Sequence, residues 1–467
     1  MSETAAGTSA QGRGTARDGR TGAAGEAAVR DGLPGGAVDA AVRDGLPGGA
    51  ADAAVRDVLA DAAALYADVH RHPELSGEEE RTAGRFAGWL GGDGYAVARG
   101  VGGHGVVGVL RNGPGPVVLL RAELDALPLA EETGLPYASA VTGPRPAAHA
   151  CGHDAHLACA AGAARLLARA ADRWRGTLVV VGQPAEETLS GAAAMLADGL
   201  YERFPAPDVV LAQHTAPLPG GMVAHADGPV LAAGATLEIV LHGRGGHASA
   251  PQLAVDPVVA AAALVLRLQT VVSREAAPGE PLVVTVGSLR AGAGSNVIPD
   301  QAVLEVTVRA LAPAALDRAL AAVRRIARAE ADAAGAPRPP EVRQLCRSGP
   351  TAGDPAAAAA VRRAHVAAFG AARVASWPPS MSTEDFPLLG PAGRELHGVD
   401  GIRPVYWMLG SVGPDAWAAA GRTPAERAAA VPGNHSPRFR PHVRLTLTTG
   451  IRALADAALA HLAPPSR

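Results

Sequence analysis

Apolar positions along this chain switch between a helical and a strand period, and the switches mark its elements. Val55, Leu59, Ala62, Leu65, Tyr66 and Val69 recur at helical spacing, which predicts a helix over 56–70, with another at 77–91. Strands are predicted at 105–110, 116–121, 177–182 and 208–213, with helices at 156–173 and 191–198 between the later ones. Strands separated by helices of this length suggest an α/β sandwich with a largely parallel sheet. Residues 231–342 carry a self-contained pattern: a strand at 236–242, a long apolar helix over 256–273 opening at Pro257, strands at 282–290 and 302–310, a helix over 313–334 and a strand near Val342. That β-α-β-β-α-β order is the ferredoxin-like arrangement. It reads as a domain inserted into the first, which then occupies 56–230 and 343–467 and ends in a helix over 444–460.

Residues 1–55 have no aromatic, His or Cys and are dense in Gly, Ala and short-range charge reversals. Such a segment buries too little to offset its ordering entropy and is expected to be a disordered tail. It holds a thirteen-residue repeat, AVRDGLPGGAVDA at 28–40 and AVRDGLPGGAADA at 41–53, and a third copy starts at Ala54 before running into the first helix. Solenoid repeats are longer and need three full copies, so these are read as duplications of that helix's leading turn.

Composition changes the picture mainly by exclusion. All 42 basic residues of the 467 are Arg, which excludes a lysine Schiff base, a Walker A loop and a protein kinase. The excess of Gly, Ala and Pro is taken as genome bias. A net charge of -3 leaves no footprint for nucleic acid or an anionic membrane, so neither partner is expected. Cys151, Cys159 and Cys346 cannot make a disulfide framework. With no signal-peptide pattern and no run of about 18 apolar residues, the expected location is cytoplasmic.

Candidate chemistry is concentrated. His149, Cys151, His153, Asp154 and His156 lie within AHACGHDAH, just before an apolar helix. Thiolate and imidazole are ligands for zinc-like divalent ions, and Cys151 and His153 are the natural pair; a loop with incidental histidines is the competing reading. Glu186 and Glu187 follow a buried strand, where open α/β sheets place their ligands. Neighbours on irregular backbone diverge, so one is expected to bind metal and the other to handle a proton. Gln213-His214, Asn434-His435 and Asp125 in RAELDALP complete a metal-site pattern spread over several strand ends. Cys159 reads as a small buried hydrophobe. Trp377, Met381 and the STEDF segment are candidates for an acyl pocket or for core packing.

RAELDALP, HACGHDAH, QPAEE, the strand-end QH, GRGGHASAP, SNVIPD, STEDF and NHSPRF stand in the order found in amidohydrolases related to hippurate hydrolase, N-acyl-amino-acid deacylases and indole-acetyl-amino-acid hydrolases. From about residue 56 to 460 the chain resembles that family, within the dinuclear metallo-carboxypeptidase and aminoacylase group. The resemblance implies a zinc-peptidase-like α/β catalytic domain with an inserted ferredoxin-like lid through which the protein forms a homodimer. It implies that Cys151, His153, Glu187, His214 and His435 ligate two divalent ions, zinc or manganese, with cobalt or nickel possible. Glu186 is then the general base and acid, and Asp125 orients His153. His247 polarises the scissile carbonyl, often from the partner subunit, while Asn296 and Arg309 hold a substrate carboxylate. Glu123 departs from the family's usual Asp at a position that is not a ligand. The expected reaction is hydrolysis of an N-acyl amino acid; a carboxypeptidase or dipeptidase of the same architecture is the alternative, which the Cys-containing loop disfavours. A binding protein with a relict site would lack a ligand or the base, and all six positions are filled.

Overall fold

The computed structural model describes residues 50–464. The part of the repeat and of the assigned tail before Ala50 lies outside them. In chain order, the first half contains α1 (Ala50–Arg71), α2 (Glu80–Gly92), β1 (Ala96–Val101), β2 (Gly105–Asn112), β3 (Val117–Glu123), α3 (His153–Arg169), β4 (Gly176–Gln183), α4 (Gly191–Ala197), β5 (Val209–Pro219), β6 (Val223–His225) and β7 (Pro229–Leu231). Then come β8 (Ala233–His242), β9 (Gly246–His247), α5 (Pro257–Thr270), β10 (Leu282–Ala291), β11 (Val297–Ile298), β12 (Gln301–Ala310), α6 (Pro313–Ala333) and β13 (Glu341–Ser348). The chain closes with β14 (Thr351–Ala352), α7 (Pro355–Phe369), β15 (Val374–Ser376), β16 (Arg403–Val412) and α8 (Val443–Leu459). Residues 50–55, assigned to the tail by composition, are helical and form the start of α1.

The large sheet has the order β1-β2-β4-β3-β5-β16-β6-β15. Its centre, β4 to β16, is parallel, but β1 and β2 add antiparallel at one edge and β6 runs antiparallel to β16. The sheet is therefore mixed, not largely parallel. The pattern missed β1 because that strand is an edge with mostly exposed or half-exposed side chains and no apolar alternation.

Sheet topology makes the crevice. Pairing of β3 with β5 stops at Leu120 and Leu211, whereas β3 stays with β4 to Glu123 and β5 stays with β16 past His214. Strand order reverses between β3 and β5, so the two part at their carboxyl ends, where an open α/β sheet takes a ligand. On one face α1, α3 and α8 pack together. Their close approach needs small residues: a Cβ at Gly162 of α3 would lie 2.7 Å from Ile451, and one at Gly450 of α8 2.4 Å from Cys159 Sγ. Cys159 is fully buried there. Val107, Val181, Met195, Val210, Phe386 and Met408 are among the residues that fill the other face.

The inserted segment forms a four-stranded sheet, β10-β12-β8-β13, under α5 and α6. Asp256 caps α5 by accepting from the Val258 amide, and Pro257 starts the helix. Leu264 and Leu268 of α5 and Leu316 and Val323 of α6 meet Leu237, Ile239, Leu304 and Val306 of the sheet. β13 continues to Ser348, six residues past the boundary read from the pattern. Helix α5 and the π turn after it, Pro257–Glu275, are together long and apolar enough to cross a membrane by length and composition, which the sequence reading did not single out. About a third of that stretch is buried, while Val259 and Leu266 point outward, 66% and 74% exposed.

Candidate metal centre

The centre grows from backbone that only particular residues allow. Gly152 has φ 86°, and a Cβ there would sit 2.4 Å from Thr215 Oγ1, so glycine lets the AHACGH loop fold against β5 before α3 begins at His153. The loop is tied down on both sides: the Cys151 carbonyl accepts from Thr215 Oγ1 (3.0 Å) and Asn434 Nδ2 (2.9 Å), and the His435 amide donates to the Ala150 carbonyl (2.7 Å). His435 itself is left-handed, with φ 68°.

Hydrogen-bond roles fix which ring nitrogens are free. His153 Nδ1 faces the Asp125 carbonyl (3.0 Å) and Asp125 Oδ1 (3.2 Å), both acceptors, so Nδ1 carries the proton. Among the described residues its Nε2 lone pair is buried without a partner. His214 Nδ1 donates to the Thr215 carbonyl (2.8 Å), which turns an Nε2 lone pair toward Cys151 Sγ at 3.4 Å. His435 Nε2 lies 3.4 Å from Glu187 Oε2, and Glu187 Oε1 is a second buried atom without a partner.

The ligand atoms of Cys151, His153 and His214 lie within 4.8 Å of one another, as do those of Cys151, Glu187 and His435. These are two three-donor groups that share one thiol. Orphaned buried lone pairs on His153 and Glu187 are costly unless a cation meets them, and thiolate, imidazole and carboxylate together suit a zinc-like divalent ion. The residues fit a two-ion centre.

Electrostatics point the same way. Burial pulls the His153 imidazole down, but Asp125, Glu123 and Glu187 more than reverse this and raise it to about 10. Such a negative pocket takes up a cation, either a proton or a metal ion. Burial, then His156, lowers His214 to about 3, leaving its lone pair available. Burial, then Glu187 and Glu186, push the Cys151 thiol well up, so a positive charge is needed beside it to form the thiolate.

Glu186 and Glu187 do not diverge as expected. With Ala185 at φ 50° just before them, both carboxylates reach His153 Nε2, at 3.7 and 3.8 Å. Glu186 is the more buried of the two, and one of its carboxylate oxygens lies within 4.8 Å of ones from Glu384 and Asp385. Burial, then Glu384, Glu187 and Asp385, drive its carboxyl well above the usual range. Asp125 is pushed up by burial but held below its ordinary value by His153, the Glu187 amide and Ser76.

Of the five clustered donors in AHACGHDAH, two face the centre. His156 is engaged at both nitrogens: the Thr215 amide donates to Nε2 (2.8 Å), so Nδ1–H goes to Glu123 Oε2 (2.8 Å). Asp154 holds His70 Nδ1 at 2.6 Å, and His149 is buried with neither nitrogen partnered among the described residues.

A charge network beneath the centre escaped the sequence reading. Arg121, fully buried, donates to Glu123, to Gln183 Oε1 (2.9 Å), to Glu384 (2.7 Å) and to Asp385 (3.0 Å). Asp385 also accepts from Gln183 Nε2 (2.7 Å) and the Ala192 amide (2.9 Å), and Glu384 accepts from Tyr406 Oη (3.0 Å). The signal was an Arg at the end of the apolar run VVLLR, a place where burial demands carboxylate partners.

The lid candidates stand apart from the centre. His247 and Asn296 are exposed at the β9–β11 ribbon, where the Ala248 amide donates to the Asn296 carbonyl (3.0 Å), and among the described residues neither bonds to the candidate ligands. The Ser249 amide donates to His247 Nδ1 (3.1 Å), so a neutral His247 offers its Nε2–H outward. Arg309, half-buried in β12, donates to the Met381 carbonyl (3.1 Å), three residues before Glu384.

Known proteins carry the same architecture. The chain is 42% identical over 245 residues to the hippurate hydrolase of Campylobacter jejuni, covering 52% of this chain and 62% of that one. It is 38% identical over 276 residues to the N-acetylcysteine deacetylase of Bacillus subtilis, covering 58% and 70%. Among solved structures it is similar to a dinuclear metal-binding peptidase of the M20 family from Bacillus subtilis, with 28% identity, a TM-score of 0.66 and coverage of 87% of this chain and 99% of that one. Residues 119–427, which carry all the candidate ligands but His435, match the model of peptidase family M20/M25/M40, and the chain belongs to that family.

Proposed function

We propose that this protein is a metal-dependent amidohydrolase that cleaves the amide of an N-acyl amino acid. The observation that carries the reading is the pair of three-donor groups sharing Cys151, with the Glu186 carboxyl beside them and outside both. Cys151, His153, Glu187, His214 and His435 would hold two divalent ions, zinc or manganese, with cobalt and nickel also compatible with these donors. When bound, such ions lower the pKa of water from about 15.7 toward 7 and polarise a carbonyl.

The chain's own groups do the rest. Glu186 takes the proton of the attacking water as its oxygen bonds to the acyl carbon. A carboxyl whose proton affinity is raised by burial and by neighbouring carboxylates retains that proton long enough to deliver it to the leaving nitrogen. The products are the free acid and the amino acid. Asp125 keeps His153 in the tautomer that presents Nε2. In a chain without lysine, the substrate carboxylate falls to Arg309, beside Met381, and to Asn296.

The named activities of the two relatives support this substrate class, as does the family's two-metal neighbour. A panel of hippurate, N-acetyl amino acids, aminobenzoyl-glutamate, indole-acetyl conjugates and dipeptides, tested on metal-reconstituted enzyme, is expected to show turnover of at least one acyl amino acid. Activity on dipeptides alone would make the protein a peptidase, and activity on none would sink the reading.

His247 we place in the site of a second copy, docked through the lid. In support, its Nε2–H faces outward, Val259 and Leu266 expose an apolar face on α5, and β10 is an unpaired sheet edge. A mixture of His247→Ala and Glu186→Gln chains, each inactive alone, is then expected to regain about a quarter of the wild-type rate, since half the dimers are mixed and each has one complete site. No recovery after subunit exchange would place His247 in its own chain's site.

A further inference from the structure

The mechanism uses Glu186 and Glu187 but leaves open what keeps them turned inward. Ala185 adopts φ 50°, a left-handed conformation that is unfavourable for a non-glycine residue, so the turn that aims both carboxylates is not the backbone's own preference. Its far side closes on itself: the Ala185 carbonyl accepts from the Ser190 and Gly191 amides and from Thr188 Oγ1. On the near side two amides are held from elsewhere. The Glu187 amide donates to Asp125 Oδ2 (2.9 Å), and the Ala185 amide donates to Glu79 Oε1 (2.8 Å).

Glu79 is fully buried between α1 and α2, more than a hundred residues from the turn in sequence. The same Oε1 accepts from the Gly77 amide (2.8 Å), which fixes the carboxylate's direction. Three residues earlier, Ser76 Oγ donates to Asp125 Oδ2 (2.7 Å), the oxygen that also holds the Glu187 amide. The loop is anchored in turn by the Ala126 amide on the Glu74 carbonyl and by the Leu75–Ala126 bridge. One short loop therefore reaches both ends of the Ala185–Glu187 turn, directly through Glu79 and indirectly through Ser76 and Asp125.

We propose that Glu79, seconded by Ser76, is a positioning residue for hydrolysis: it holds the strained Ala185 peptide so that Glu186 meets the attacking water. The assignment rests on the role given to Glu186 above. Glu79 touches neither the ligand cluster nor the reacting atoms. Its contribution is an acceptor oxygen at a fixed place; a neutral amide oxygen there serves nearly as well as a carboxylate.

The test is steady-state hydrolysis of an active N-acyl amino acid by the metal-loaded full chain. Glu79→Ala is expected to lower kcat about 10- to 100-fold, the loss typical of a misplacement near 1 Å, with KM within about twofold. Glu79→Gln is expected to restore kcat to within about threefold of wild type, because its carbonyl oxygen can accept from the Ala185 amide. Glu78→Ala, a neighbouring exposed carboxylate paired to Arg145, serves as control and leaves kcat unchanged. Should Glu79→Ala not fold, Ser76→Ala decides: kcat lowered severalfold supports the brace, and an unchanged kcat overturns it. A folded Glu79→Ala enzyme with wild-type kcat, or a Glu79→Gln enzyme as impaired as the alanine variant, also overturns it. If instead Glu186→Gln retains activity, the reading of Glu186 fails, and that outcome is separable from a failure of the brace alone.

Discussion

Glu186→Gln should reduce turnover by about a thousandfold or more while the protein keeps its full complement of metal. The substitution preserves size and buried contacts but removes the only step at which Glu186 acts, uptake and redelivery of a proton, which is worth about 10²- to 10⁴-fold in general acid–base catalysis. Metal retention is the sharper half of the result. Glu186 Oε2 is only 3.7 Å from His153 Nε2, so distance alone does not separate a base from a ligand. Both three-donor groups that contain Cys151 form without Glu186, but its carboxylate also lies within 4.8 Å of the donors of His153 and Glu187, so the metal content of the variant decides its role. Loss of metal on substitution would make Glu186 a ligand, and a near wild-type rate would leave it no part in the chemistry.

Arg121→Met should cost about 3–5 kcal/mol of stability, seen as a fall in the urea midpoint. Among the described residues Arg121 is the sole cation bonded to Glu123, Glu384 and Asp385 together, all three buried. Removing it leaves carboxylates in a low-dielectric interior without a counter-charge. Burial pushes the Glu123 carboxyl up, yet Arg121 and His156 hold it well below the usual range. A group lowered in this way stabilises the fold at pH values above its ordinary one and ceases to do so as pH falls through the folded value. The gap between wild type and variant should therefore narrow in acid. Arg145→Met, whose pair with Glu78 is exposed, is the reference and should cost at most about 1 kcal/mol. Equal midpoints for wild type and Arg121→Met would contradict the network.

Most of the fold was legible because burial writes it into periodicity. The β-α-β-β-α-β order of the inserted segment could be read off β8, α5, β10, β12 and α6, whose inner faces are apolar, while β13 gives the core only Val342. The edge strand β1 could not, since its side chains are largely solvent-facing and carry no alternation. His214 was read as closing a strand, but β5 runs on to Pro219, because its pairing with β16 and not its apolar run sets its length. At the centre, clustering of His and Cys marked the loop but not the division of labour within it. Only hydrogen-bond partners reveal that His156 is spent on Glu123 and the Thr215 amide while His153 keeps a free lone pair. The convergence of Glu186 and Glu187 depends on one left-handed alanine, and no residue type announces that. The pairing of Arg121 with Glu384 and Asp385, and the burial of Glu79, were missed for a related reason: RAELDALP and STEDF stand out as motifs, but one dimension does not show which buried charges meet.

Cys151 is common to two groups of candidate ligands, and that sharing defines the centre. Its most direct measurement is the number of zinc or manganese ions retained per chain after metal removal, reconstitution and gel filtration. The expected result is two for the wild-type protein and fewer than one for Cys151→Ala, because losing the shared thiol strips both groups at once. One ion in the wild type, or two in Cys151→Ala, would contradict it.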